Sequence, residues 1–205
     1  LGKSDRTHTR WKNLDFCFRD KTIKIWDLGT GAEKFTLTGH SDRVRAIAVT
    51  PDGKTVISAS DSWRDKTIKI WDLGTGSGNF TLTDHSKSVN AIALTPDGKT
   101  LIAGSDEETI KIWDLGTRRE KFTLTGHSKS VNAIALTPDG KTLISGSDDN
   151  TIKIWDLETT KEIATFTGES PIKCCAVAPD GVTIVAGEES GRLHFLRLQG
   201  KVTDE

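Results

Sequence analysis

The sequence of 205 residues is 35% hydrophobic, which is enough for one globular domain with a core of its own. Its 28 Lys and Arg face 29 Asp and Glu, so the formal net charge of −1 provides no overall basic field for nucleic acid or an anionic membrane. No apolar run approaches the roughly 20 residues of a membrane helix, and the polar opening at 1–10 lacks the apolar stretch of a signal peptide.

Residues 1–18 follow no pattern found later. Within them Leu14, Phe16 and Phe18 alternate with polar neighbours and, with Trp11, offer one improvised strand. The absence of Met and the start at Leu1 are read as upstream sequence missing. From residue 19 a repeat takes over. Thr-Ile-Lys-Ile-Trp-Asp-Leu begins at Thr22, Thr67, Thr109 and Thr151, and a decayed copy runs from Arg192 to Leu198. Trp26, Trp71, Trp113 and Trp155 are spaced by 45, 42 and 42 residues. Pro-Asp-Gly begins at Pro51, Pro96 and Pro138 and again at Pro179. Gly39-His40 recurs as Asp84-His85, Gly126-His127 and Gly168-Glu169. The units are 19–39, 40–84, 85–126, 127–168 and 169–198, followed by a tail, 199–205.

Each full period holds four short strands. In the unit opening at 127 they are expected at 131–136, 142–146, 151–155 and 162–166. Pro138-Asp139-Gly140 supplies the first turn, with Pro presetting φ and Gly accepting a positive one. Ile152 and Ile154 alternate with Lys153 and Trp155, a period of two that means strand. Small residues such as Ala133 and Ala135 suit the crowded inner end of a tapering blade. A four-stranded antiparallel sheet repeated every 40-odd residues cannot bury both faces alone; stacked radially, the sheets become blades of an all-β propeller. The count is two strands in the first unit (21–37), three complete units, and three strands in the last (172–198). About five units make the propeller incomplete or open, and its open edges invite self-association.

These recurring markers resemble the WD40 repeat family, over roughly residues 19–198, and the near-identical copies resemble its bacterial branch. The resemblance implies a propeller, usually of seven blades, that binds protein partners and catalyses nothing. Bacterial members are often attached to NTPase or kinase regions, which implies the regulatory C-terminal part of a larger signalling protein. The alternative is a ring-completing or self-assembling fragment with no external ligand. The resemblance further implies a buried His–Ser–Asp–Trp network. It maps onto His40, Ser58, Asp65 and Trp71, and onto His127, Ser145, Asp149 and Trp155. In the third unit Ala103 replaces the Ser and Glu107 the Asp; in the last, Glu169, Ala186, Ser190 and Leu196 leave no network.

Catalytic motifs fail on inspection. Gly-Lys-Thr at Gly53, Gly98 and Gly140 lacks the earlier glycine of a phosphate loop, since Ala48, Ala93 and Ala135 stand there; hairpin turns are expected instead. Histidines recur once per unit rather than gathering, and His194 is expected at the surface. Cys17, Cys174 and Cys175 have neither metal-ligand spacing nor a paired framework, and Cys174 and Cys175 are expected to pack in the interior on opposite faces of a strand. The acidic turns 106–108 and 148–149 lack the ligand pattern of a calcium loop. Asn79-Phe80-Thr81 is a chance sequon. The expectation is therefore no catalytic residue, no cofactor, no metal and a cytoplasmic location.

Binding falls to the rim made by the Gly-His loops and the turns between second and third strands. These are 40–43, 61–66, 85–88, 106–108, 127–130 and 148–150. Ser62-Trp63-Arg64 lengthens one of them and explains the 45-residue spacing. Trp and Arg are enriched at binding hot spots, so Trp63, Arg64, Arg43 and Arg45 form the candidate protein-binding patch. The competing expectation is that Trp63 covers a neighbouring blade. Lys87 and Lys129 occupy equivalent rim positions, where solvated charge is the simpler reading.

Overall fold

The computed structural model describes residues 20–199, and among them every regular element is a strand. The improvised strand around Trp11, Leu14, Phe16 and Phe18, with Cys17, lies outside the described residues. The first unit is a hairpin of β1 (Thr22–Trp26) and β2 (Glu33–Thr38). Three four-stranded antiparallel blades follow. They are β3 (Val44–Val49), β4 (Thr55–Ser60), β5 (Ile68–Asp72) and β6 (Ser77–Leu82); β7 (Val89–Leu94), β8 (Thr100–Ser105), β9 (Thr109–Asp114) and β10 (Arg119–Thr125); and β11 (Val131–Leu136), β12 (Thr142–Ser147), β13 (Thr151–Asp156) and β14 (Lys161–Thr167). The last has three strands, β15 (Ile172–Val177), β16 (Thr183–Glu188) and β17 (Leu193–Arg197).

Two turns recur because the sequence repeats their chemistry. Between first and second strands, the hydroxyls of Thr50, Thr95 and Thr137 donate to Asp52, Asp97 and Asp139 at 2.6 Å. The same carboxylates accept the backbone N–H of Lys54, Lys99 and Lys141 at 3.0 Å. Gly53, Gly98 and Gly140 sit at φ of 69, 68 and 71°, a region that glycine enters without strain. The Gly-Lys-Thr triplets are thus hairpin turns. Between third and fourth strands, the Asp that follows each Trp folds back on the chain. Asp72 accepts from the N–H groups of Gly74 and Thr75, and Asp156 from those of Glu158 and Thr159.

Apolar side chains alternate along the strands and meet those of the next unit, so the core lies in layers between units. Ile68, Ile70 and Leu82 pack with Val89, Leu101 and Trp113. Ile110, Ile112 and Leu124 pack with Val131, Leu143 and Trp155. Ile144, Ile152 and Ile154 meet Ile172, Ile184 and Ala186, and Ile23 and Leu37 meet Val44, Val56 and Trp71. The innermost strands β3, β7, β11 and β15 touch in that order. None of these four clusters joins the last unit to the first. The blades form an open arc.

Candidate partner-binding rim

Each complete unit carries a histidine just before its first strand, close to the turn between second and third strands. In the second unit His40 Nδ1–H donates to Asp65 Oδ2 at 2.9 Å. Ser58 donates its hydroxyl to His40 Nε2 at 2.7 Å and accepts the Trp71 indole N–H at 2.8 Å. Asp65 also accepts the backbone N–H of Ser41 and of Thr67. The fourth unit repeats this chain through His127, Asp149, Ser145 and Trp155 at 2.8, 2.7 and 2.8 Å. The electrostatics follow. Burial works to raise the Asp149 carboxyl, but bonds from Thr151, the Ser128 N–H and His127 outweigh it and bring it down to about 2. The Asp65 carboxyl is likewise held well below the usual carboxylate range, with bonds from His40, Thr67 and the Ser41 N–H overcoming burial. Burial lowers the His127 pKa against the opposing pull of Asp149.

The third unit keeps half of this arrangement. Glu107, one methylene longer than Asp, still reaches His85 Nδ1 and accepts from the backbone and hydroxyl of Ser86. With Ala103 in place of Ser, His85 Nε2 is buried and has no partner. The Trp113 indole turns instead to Asp84, at 3.5 Å, a role invisible in a comparison confined to the four network positions.

The last unit has no His–Ser–Asp–Trp chain at the four matching places, but it builds a different cluster around Glu188. Glu188, at the end of β16, has its side chain fully buried and stands where the other units have Ser60, Ser105 and Ser147. It accepts from the Glu169 N–H at 2.9 Å, the Ser190 hydroxyl at 2.8 Å and His194 Nε2 at 2.7 Å. His194, Glu169 and Ser190 bring the Glu188 carboxyl down to about 2, His194 first among them. His194 is accordingly half-buried rather than superficial, with its ring 4.9 Å from that of Phe166 in the preceding blade. The reason is local: a longer acid at the end of β16 supplies the acceptor that Ala186 and Leu196 cannot. Cys175 packs inward, and burial pushes its thiol up to about 12, whereas Cys174 is exposed and not interior as expected.

The insertion sits directly above the second network. Ser62 donates to Asp42 Oδ2 at 2.6 Å and bridges Asp65 through the backbone, while the Ser41 hydroxyl donates to the Arg64 carbonyl at 3.2 Å. The turn is thereby pinned on both sides, and Asp65 ties its base to His40. At its tip Trp63 is 74% exposed, and the Arg64 guanidinium lies 4.9 Å from its ring centroid. Trp63 therefore does not cover a neighbouring blade. Arg43 Nε donates to Asp61 Oδ1 at 2.6 Å, and Arg45 approaches the other oxygen of Asp61 at 3.8 Å. All four predicted residues stand on one rim, with Asp61 holding two of them. Among the described residues no three His, Cys, Asp or Glu converge in a way that could hold a metal ion, and no helix is long and apolar enough to cross a membrane.

Known proteins share the repeat. The family model "WD domain, G-beta repeat" matches residues 31–72, 76–114, 118–156 and 160–195. Mouse Coronin-7 is 54% identical over 35 residues, covering 17% of this chain and 4% of its own. The Lissencephaly-1 homolog of Caenorhabditis briggsae is 45% identical over 47 residues, 23% of this chain and 12% of its own. Nuclear distribution protein nudF 1 of Talaromyces marneffei is 56% identical over 43 residues, 21% of this chain and 9% of its own. Each alignment is about one repeat long and spans a small part of these curated relatives, so the likeness is to the blade and not to any whole protein. With matched repeats over most of its length, strands in the order of WD blades and two complete His–Ser–Asp–Trp networks, the chain belongs to the WD40 repeat family.

Proposed function

We propose that this chain is a non-enzymatic protein-recognition module that engages its partner through the rim of the second unit, with Trp63 and Arg64 as anchors and Arg43 and Arg45 beside them. The observation that carries this reading is Trp63, exposed at the tip of a turn that is pinned on both sides and that is longer than its counterparts in the other units whose turn is described. An indole already held in place loses little freedom on binding, and its apolar face is available for burial.

The buried Ser–His–Asp chain of the second unit suits structure rather than catalysis. Ser58, His40 and Asp65 have the connectivity of a nucleophilic triad, yet Ser58 is 0% exposed and its oxygen is occupied by the Trp71 indole. No substrate can approach that hydroxyl. A cytoplasmic setting suits the free thiols. A place in a larger bacterial signalling protein rests on the family resemblance, and the gene sequence upstream of this segment tests it.

The test is capture of partners from cells of the source organism with wild-type protein and with a Trp63→Ala, Arg64→Ala double variant, followed by titration of whatever is captured. Loss of a Trp–Arg hot spot should weaken binding by at least about 2 kcal/mol, some thirtyfold. Undiminished binding by the double variant would reject the patch.

A further inference from the structure

The turns that join first to second and third to fourth strands lie at the end of each blade opposite the rim. In the third-to-fourth turns of four units the residue four places after the Asp holds a left-handed backbone: Gly31 at φ 69°, Gly76 at 69°, Arg118 at 61° and Thr160 at 57°. What that residue carries decides the fate of a ring on the fourth strand of the unit before it. A Cβ at Gly76 would collide with the ring of Phe35, so this ring lies against the backbone of the next turn. The Arg118 guanidinium lies 4.4 Å from the ring centroid of Phe80. Phe122 is the third ring of the series, opposite Ile112 as Phe35 is opposite Ile25 and Phe80 opposite Ile70. The place of its cap belongs to Thr160, too short to lie over a ring, and Phe122 is left 45% exposed.

The result is a groove of about 240 Å³ between the third and fourth units, lined by Ile112, Phe122 and Leu157. Described units flank these two on both sides, so the groove is no product of an end of the arc. It is smaller than the roughly 300–1,000 Å³ of small-molecule sites and suits a single side chain. Lys121 and Lys141 line it as well, with Glu158 as the one acid, and two ammonium groups against one carboxylate leave it net positive. Lysines elsewhere on the same blades are spoken for: Lys111 and Lys153 are ion-paired with Glu120 and Glu162 at 2.7 Å. Among the described residues Lys121 and Lys141 make no such pair. The sister groove between second and third units has Asn79 in place of Lys121 and is lined by Asp52 and Asp97. An uncapped ring and unpaired lysines thus coincide at this junction.

We propose that this groove is a second protein-binding site, for an acidic segment that seats one apolar side chain on Phe122 and sets carboxylates against Lys121 and Lys141. Charge complementarity carries the choice of partner. Burial of the exposed Phe122 ring removes apolar surface from water, and each ammonium meets an acid without giving up an existing pair. The chain as a whole, at a net charge of −1, has no basic field for a polyanion, so the groove selects the apolar and acidic features together. It is independent of Trp63 and Arg64, which stand at the opposite end of the blades, and it lets the module hold two partners at once, one on each face.

Fluorescence polarisation tests it with labelled peptides in which one Phe or Leu is flanked by Asp and Glu. The controls are an Ala-centred acidic peptide, a peptide with Lys in place of the acids, and a single-stranded oligonucleotide. Circular dichroism melts establish that each protein variant is folded. The Phe- and Leu-centred acidic peptides should bind the wild-type chain. Phe122→Ser, and Lys121→Glu together with Lys141→Glu, should each weaken that binding about tenfold or more. Thr160→Arg should weaken it too although it adds a positive charge, because a guanidinium there would cap Phe122 as Arg118 caps Phe80. The Trp63→Ala, Arg64→Ala variant should bind these peptides as wild type does, so a failure of the rim leaves this result untouched. No binding by any acidic peptide would overturn the proposal. So would binding undiminished by Thr160→Arg, or an oligonucleotide or Ala-centred peptide bound as tightly as the Phe-centred one, which means attraction by charge alone.

Discussion

His127 and His85 occupy equivalent positions but do unequal work. His127 joins Asp149 to Ser145, so His127→Ala removes a hydrogen bond from each of these two groups, whereas His85→Ala removes a ring that bonds through Nδ1 alone and whose Nε2 already lacks a partner. Each lost bond is worth about 1 kcal/mol net, and each buried group left unpaired costs about 1–3 kcal/mol. His127→Ala should therefore lower stability by about 2 kcal/mol or more, and His85→Ala by roughly 1 kcal/mol less. Urea unfolding of the two variants checks this, and equal losses would contradict it. The converse change is Ala103→Ser, which places a hydroxyl where Ser58 and Ser145 stand in the other units. It should give His85 Nε2 its donor and raise stability by about 1 kcal/mol in the same assay. Both networks and the gap in the third unit were legible in the sequence, because they are substitutions within a repeated template. Glu188 was not. Its counterparts Ser60, Ser105 and Ser147 bond to backbone carbonyls outside the network, so nothing in the repeat marks their position as one where an acid could replace it.

At the scale of strands and turns, the repeat predicted the strands of the fourth unit to within a residue or so, since turn chemistry and period-two alternation agreed there. What it could not show is how adjacent turns nest. Gly140 sits at φ 71° and a Cβ there would lie 2.6 Å from Pro96 Cδ of the previous unit, while Gly31 has φ 69° with open space around it. Gly31→Ala should thus carry backbone strain alone, about 1 kcal/mol. Gly140→Ala adds a collision between units and should cost roughly 2–4 kcal/mol. Thermal unfolding of the pair separates the two contributions, and identical shifts in Tm would show that the nesting has no energetic weight.

Across the whole molecule these groups couple stability to acidity. Asp149 and Glu188 titrate near 2 when folded, below the ordinary carboxylate range near 4. Their stabilisation is complete above that range and is lost as pH falls through about 2. His127 and His85 act in the same direction from higher pH. Burial lowers their folded pKa, so the unfolded chain takes up protons first below about 6.5 and gains on the native state. The urea midpoint should be flat from pH 8 to 7, decline below about 6.5 and fall more steeply below about 4. A midpoint unchanged down to pH 3 would refute this assignment.

Because the core is divided into layers that each touch only two neighbouring units, the arc is energetically a one-dimensional stack. Such a stack unzips from its ends. Amide hydrogen exchange should be slowest in β7–β13 and fastest in β1, β2 and β15–β17, where a unit has fewer strands and a neighbour on one side alone among the described residues.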